Sequence, residues 1–149
     1  MPAKKLFLIH SRYPFVDTSA ATVSVPFDEN QTASLYQAFL LDTIERLSQI
    51  PGIAIRVMAA NDTEMKHLAG FLDGVEVDYY SGDTIGDRFA NAAEEAFNNG
   101  IRQVFIVDSA VPSVPIRIIQ SGLSLLEVFE DAFAIAPIER GGFYAVGMN

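Results

Sequence analysis

In the heptapeptide QVFIVDS, residues 103–109, the run between Gln103 and Asp108 offers a folding chain no polar face. Alternate residues of a strand point to opposite sides of a sheet, so a strand that is apolar throughout must be covered on both sides. Other stretches make similar demands. KLFLIH (5–10) reads as a short buried strand, IAIRVMAA (53–60) as a second, and VEVDYYS (75–81) as a third, with apolar and acidic residues alternating at its start. Helical patterns lie between them. From Thr32 to Ile50 the apolar residues Leu35, Phe39, Ile44 and Leu47 recur at helical spacing, with Thr32 as N-cap and Pro51-Gly52 as the stop. Thr63 to Leu72 predicts a short helix closed by Asp73-Gly74. The second half of 81–100 predicts another, with Phe89, Ala92, Ala93, Ala96 and Phe97 on or near one face and Asn99-Gly100 at its C-terminus. Ile116 to Phe129 is a fourth helix, after Pro112 and Pro115. DAFAIAPIE (131–139) and FYAVGM (143–148) are the last strands, joined at Gly141-Gly142.

The order β-α-β-α-β-α-β-α-β-β implies parallel crossover units, hence an α/β fold of three layers, α/β/α. Its sheet is mostly parallel, with a C-terminal antiparallel hairpin. A chain of 149 residues suits one such domain, spanning 1–149, and can bury roughly 68–70% of its unfolded surface. No internal repeat or low-complexity segment interrupts it. In open α/β sheets ligands sit beyond the carboxyl ends of the strands. Those ends here are 10–12, 60–62, 81–83, 108–111 and 139–142.

Composition removes several functions. With 19 acidic and 10 basic residues the formal net charge is −9, a poor match to nucleic-acid phosphates or anionic lipid. No cysteine is present, so disulfides, thiol catalysis and cysteine-based zinc sites are excluded. His10 and His67 have no second His or Cys at ligand spacing, which favours structural roles. Four apolar residues before His10 are too few for a signal-peptide core, and no apolar run approaches a membrane span. The expectation is a cytoplasmic protein. No Walker loop, Rossmann fingerprint or nucleophile elbow occurs.

Four stretches taken together, LYQAFLLDTIERL (35–47), SGDTIGDRFANAAEEAFNNG (81–100), VFIVDSAVPSVP (104–115) and APIERGGFYAVG (136–147), resemble the small glycosyltransferase-A-like proteins known as rSAM/selenodomain-associated transferases. These belong to the nucleotide-diphospho-sugar transferase superfamily. The resemblance covers roughly residues 5–147. It implies a nucleotide-diphospho-sugar transferase-like fold, a first loop that holds a nucleotide, and an acidic residue after the fourth strand that holds a divalent metal.

Few of the family's functional residues transfer to this chain. Arg12 and Pro14 stand where the family's first loop has Lys and Pro, but only Thr22 matches the later Lys-Thr-Arg-Leu, and residues 13–31 contain no Lys, Arg or Gly. A triphosphate needs cations and backbone N–H groups around it. DTIGDRF (83–89) follows Gly-Asp-Leu-Gly-x-Arg-Met, keeping Gly86 and Arg88 but placing Thr84 at the acidic position, with Asp83 adjacent. Aligned on Pro112, Ala110 occupies the metal-binding position of Gly-Ser-Asp-Cys-Pro and Asp108 is two residues early. At about 3.3 Å per residue that shift displaces the carboxylate by roughly 7 Å, against a metal–oxygen bond of roughly 2.1 Å. In the fourth motif Gly141 and Gly142 are kept, but the family's Asp is Arg140.

These departures predict a nucleotide-diphospho-sugar transferase-like domain without metal-dependent catalysis and with no resident cofactor, retained as a ligand-binding or interaction subunit. Its candidate ligand-binding residues are Arg12, Asp83, Gly86, Arg88, Asp108, Arg140, Gly141 and Gly142. A nucleotide or nucleotide-sugar is the expected partner, and a homo-oligomer is expected through the C-terminal edge. The alternative is an active nucleotidyl- or glycosyltransferase with a rewired site, in which Asp83 and Asp108 hold Mg²⁺ or Mn²⁺ beside Arg88 and Arg140. Each group also has a structural reading. Asp108 can serve as a turn or capping carboxylate, Asp83 and Asp87 as first-turn acids of a helix, and Arg88 as their ion-pair partner. Arg140 can replace the metal's charge or pair with Glu139 or Asp108.

Overall fold

The computed structural model describes residues 4–11, 27–139 and 141–149. All ten expected elements are present in the expected order: β1 (Lys5–His10), α1 (Glu29–Ser48), β2 (Ile53–Ala59), α2 (Asp62–Phe71), β3 (Glu76–Tyr79), α3 (Ile85–Asn98), β4 (Gln103–Asp108), α4 (Ile116–Val128), β5 (Phe133–Pro137) and β6 (Phe143–Met148). The sheet runs β3-β2-β1-β4-β6-β5. Its first four strands are parallel, β6 is antiparallel to β4, and β5 returns antiparallel on β6 with an irregularity at Ala136/Pro137.

Two helix starts differ from expectation. Thr32 is not the N-cap of α1 but a buried residue within it. Asp28 caps the helix, accepting from the Gln31 N–H while the Gln31 side chain accepts from the Asp28 N–H. This reciprocal box satisfies two backbone donors and adds a turn at the front. Helix α2 likewise begins one residue early, capped by Asn61.

The strands divide their side chains as their period requires. Phe7 and Ile9 of β1 and Phe105 and Val107 of β4 face α1, α2 and α4, packing with Leu40, Leu47, Leu68, Ile119 and Leu123. Leu6, Leu8, Val104 and Ile106 face the other way, against Ala92, Ala93 and Ala96 of α3. The three layers are therefore there, but unevenly: among the described helices three cover one face and one covers the other. The register shows where cover ends. Leu8, Ile106, Val146 and Ile135 form one cross-sheet row. Leu8 is fully buried, whereas Ile135 on the outermost strand is 61% exposed and Phe133 beside it 72%. On the covered face the packing is close. A Cβ on Gly147 would lie 2.2 Å from Cζ of Phe105, so the ring rests directly on that glycine.

Candidate functional site

At the carboxyl pole of the sheet, backbone bonds bind the strand ends into one rim. Ser109 N–H donates to the His10 carbonyl (3.1 Å) and Ser11 N–H to that of Met58 (3.2 Å). The His10 ring meets Phe89 of α3 edge-on at 5.5 Å. Two acidic groups of this rim, Asp108 and Asp87, are occupied by a turn and a helix start. Oδ1 of Asp108 accepts from the Ala110 N–H at 2.8 Å, an Asx turn that leads the chain off β4. Asp87 accepts from both the N–H and the hydroxyl of Thr84, while the Thr84 hydroxyl accepts from the Asp87 N–H. Those bonds, the hydroxyl's first and the amide's second, hold the Asp87 carboxyl below its ordinary value. Thr84 thus does the work of an N-cap at the position where the resemblance placed an acid.

Arg88 does not reach the carboxylates of Asp83 or Asp87. Its Nε points to the Gly82 carbonyl and one terminal nitrogen to that of Ala60, each at 3.4 Å. The guanidinium therefore bridges the ends of β2 and β3 and brings positive charge to the pole. Asp83 is exposed in the loop before α3, and Gly86 is exposed in that helix's first turn. Gly141 (φ +93°) and Gly142 (φ +87°) both lie in the left-handed region and carry the hairpin between β5 and β6. Arg12 and Arg140 lie outside the described residues.

Three features of the rim were missed in the sequence. Glu64 is 1% exposed and accepts from the Ala60 N–H, while its own N–H donates to Asn61. The spacing Asn61-x-x-Glu64 is a capping-box signature and could have been read. Gly82 packs so tightly on α3 that a Cβ there would fall 2.8 Å from the Arg88 nitrogen. Ser109 is fully buried, with no hydrogen-bond partner for its hydroxyl.

A divalent cation needs several converging oxygens at short range. Here Asp108 gives one oxygen to an amide, Asp87 is committed to Thr84, and the Ala110 side chain has no oxygen to offer. Among the described residues no three His, Asp or Glu side chains are grouped to hold a metal. No described helix is long and apolar enough to cross a membrane.

Residues 43–149 match the DUF2064 family, described as an uncharacterized protein conserved in bacteria. No curated protein matches the sequence. Among solved structures the chain is similar to a Desulfovibrio desulfuricans G20 protein assigned as a nucleotide-diphospho-sugar transferase. The TM-score is 0.83 at 22% identity, over 99% of this chain and 64% of that one. It is also similar to 4-diphosphocytidyl-2C-methyl-D-erythritol synthase from Anaerococcus prevotii DSM 20548 (TM-score 0.58, 13% identity, 97% of this chain and 69% of that one). A third is CMP:2-keto-3-deoxy-manno-octonic acid synthetase, solved with CTP (TM-score 0.55, 13% identity, 84% and 48%). The chain thus spans just under two thirds of the Desulfovibrio protein and about half of the third. At these identities the likeness concerns the fold alone. The chain belongs to the DUF2064 family and carries the nucleotide-diphospho-sugar transferase fold.

Proposed function

We propose that this domain binds a nucleotide or nucleotide-sugar at the carboxyl pole without metal-dependent transfer, and works as a binding or interaction subunit. The observation that carries this reading is the Asx turn at the end of β4. By the family resemblance the metal position falls on Ala110, and the nearby Asp108 carboxylate accepts from the Ala110 amide. Arg88, fixed by the carbonyls of Gly82 and Ala60, supplies charge for a phosphate directly. The CTP in a structural neighbour supports a nucleotide as ligand class. The test is transfer from labelled nucleotide-sugars with Mg²⁺ or Mn²⁺. No transfer is expected. Turnover that requires metal and disappears in Asp108→Ala would establish the rewired enzyme instead.

The interaction role draws on the C-terminal edge. Strand β5 ends the sheet, and Phe133, Ile135, Val128 and Phe129 beside it are more than half exposed. Bare apolar edges are ordinarily covered, and we assign this one to a second copy of the chain. Sedimentation at micromolar concentration is expected to show a dimer that Phe133→Ser/Ile135→Ser dissociates. A strict wild-type monomer would refute the assignment.

A further inference from the structure

The two edges of the sheet are built differently. Strand β3, at one edge, carries Glu76 and Asp78, and charged side chains discourage an edge from pairing with another chain. Strand β5, at the other, reads Phe-Ala-Ile-Ala-Pro and holds no charge. Two hydrogen bonds fix which way its backbone points. Ala132 N–H donates to the Asn149 side chain, just past the end of β6, and Ile138 N–H donates to the Gly142 carbonyl across the hairpin. Both are turned toward β6. The skipped residue at the irregularity is Tyr144, on β6, so the alternation along β5 is unbroken. Backbone groups of a strand alternate in direction, and Ala134 and Ala136 therefore also face β6, while Phe133, Ile135 and Pro137 face outward. Pro137 agrees with this assignment, because a proline in a sheet sits where its missing N–H would point away from the ladder. The N–H and C=O of Phe133 and Ile135 are thus presented at the rim.

Both faces of this edge are apolar. Phe133 and Ile135 project, exposed, from the face that α3 leaves bare. On the other face a groove of about 330 Å³ runs between α4 and β5, with Ile118, Leu125, Ala134 and Ala136 in its walls. With Val128 and Phe129, six large apolar side chains here are about half exposed or more. At roughly 100 Å² each, about half of what a large side chain carries, they offer about 600 Å². A stable interface takes about 800 Å² from each partner, a little over half of it apolar. The patch is therefore large enough for a lasting contact with a second copy.

Resting on the assignment of this edge to a second copy, we infer that the two copies join β5 to β5, antiparallel, with Ala134 on the two-fold axis, so that two six-stranded sheets become one. A two-fold contact needs a patch that complements itself, and Phe-Ala-Ile about its central alanine does so. Phe133 then lies opposite Ile135 of the second copy, and Ile135 opposite its Phe133. Each of these pairs exchanges two backbone hydrogen bonds and sets an aromatic ring against a β-branched side chain. Ala134 meets its own counterpart in a pair without hydrogen bonds, the closer kind, with Cα atoms about 4.5 Å apart. Pro137, lacking an N–H, limits how far the pairing runs. Charge does not drive this seam. Glu130 and Asp131, before one strand, come near Glu139, after the other, and salt screens that repulsion.

The chain has no cysteine, so a single one reports on the seam without competition. Under mild oxidation of the whole chain, Ala134→Cys is expected to run as a covalent dimer on a non-reducing gel, because about 4.5 Å between Cα atoms falls within the roughly 4.4–6.8 Å that a disulfide spans. Ala136→Cys should stay uncross-linked, since four residues of offset at about 3.4 Å each separate it from its counterpart by about 14 Å. Ile135→Pro deletes an outward N–H but no bond to β6, and sedimentation should show its dimer weakened at least a hundredfold. Raising NaCl to 0.5 M should tighten the wild-type dimer. A wild-type monomer would overturn both this pairing and the assignment to a second copy. A wild-type dimer that Ala134→Cys fails to cross-link, that Ala136→Cys cross-links as well, that Ile135→Pro leaves equally tight, or that salt loosens would overturn the strand pairing alone.

Discussion

The two poles of one sheet treat their charged groups in opposite ways. At the carboxyl pole the helices α1, α2 and α3 begin, and polar side chains are drawn into their first turns: Asp28, Asn61, Glu64, Thr84 and Asp87 all serve backbone N–H groups there, and Asp108 does so in the turn after β4. Helix starts leave unpaired donors, so this pole has a standing demand for acceptors. At the amino pole β1 and β4 begin and α4 ends. There Lys4, Arg102, Glu130 and Asp131 have no ion-pair partner among the described residues, and the Gln103 oxygen is unused. Acidic residues near the strand ends are thus evidence of catalysis only after their capping duties are subtracted.

This contrast can be broken by mutation. The largest effect is expected for Glu64→Ala, which removes a buried carboxylate and strands the Ala60 N–H. A loss of about 2–3 kcal/mol in urea unfolding is predicted, and a loss below about 0.5 kcal/mol would show that Glu64 is not a structural acceptor. Asn149→Ala, at the other pole, deletes three hydrogen bonds joining β6 to the end of α4 and the start of β5. About 1–2 kcal/mol is expected by the same measurement, because part of this region meets solvent.

Thr84→Ala removes the cap of α3 and should cost about 1 kcal/mol. It should also release the Asp87 carboxyl toward its ordinary value. The sign follows from the depressed folded-state pKa: the contribution of Asp87 is present above its unfolded value and is lost as pH falls through the lower folded one. Wild type should therefore show an acid-side fall in melting temperature that Asp87→Asn flattens. Equal slopes would remove Asp87 from the account. The smallest effect belongs to Lys5→Met, since the Lys5–Glu127 pair is surface-exposed on one side and such pairs contribute about 0–1 kcal/mol. A larger loss would mean that the amino pole is held together by its charges.

Sequence reasoning reached the element order because the strands are apolar or alternating and the helices periodic, signals that local residues carry. It missed the front turn of α1, where the Asp28-x-x-Gln31 box outweighed the plausible Thr32. It could not see the uneven cover of the sheet. Alternation tells which face Ile135 occupies, but not whether a helix lies over it. The partners of Arg88 were hidden for a similar reason: Gly82 and Ala60 are backbone acceptors 6 and 28 residues away, with no side-chain signature. The Gln103 oxygen became visible only as a buried atom without a donor.

The central claim is that ligand binding at the carboxyl pole is independent of metal. It is tested most directly by calorimetric titration of wild type with nucleoside di- and triphosphates and nucleotide-sugars, in EDTA and again in Mg²⁺ or Mn²⁺. The account predicts that at least one of them binds in EDTA, with an affinity that metal leaves unchanged and Arg88→Ala weakens. Binding that appears only when metal is supplied, or no binding in either condition, would contradict it.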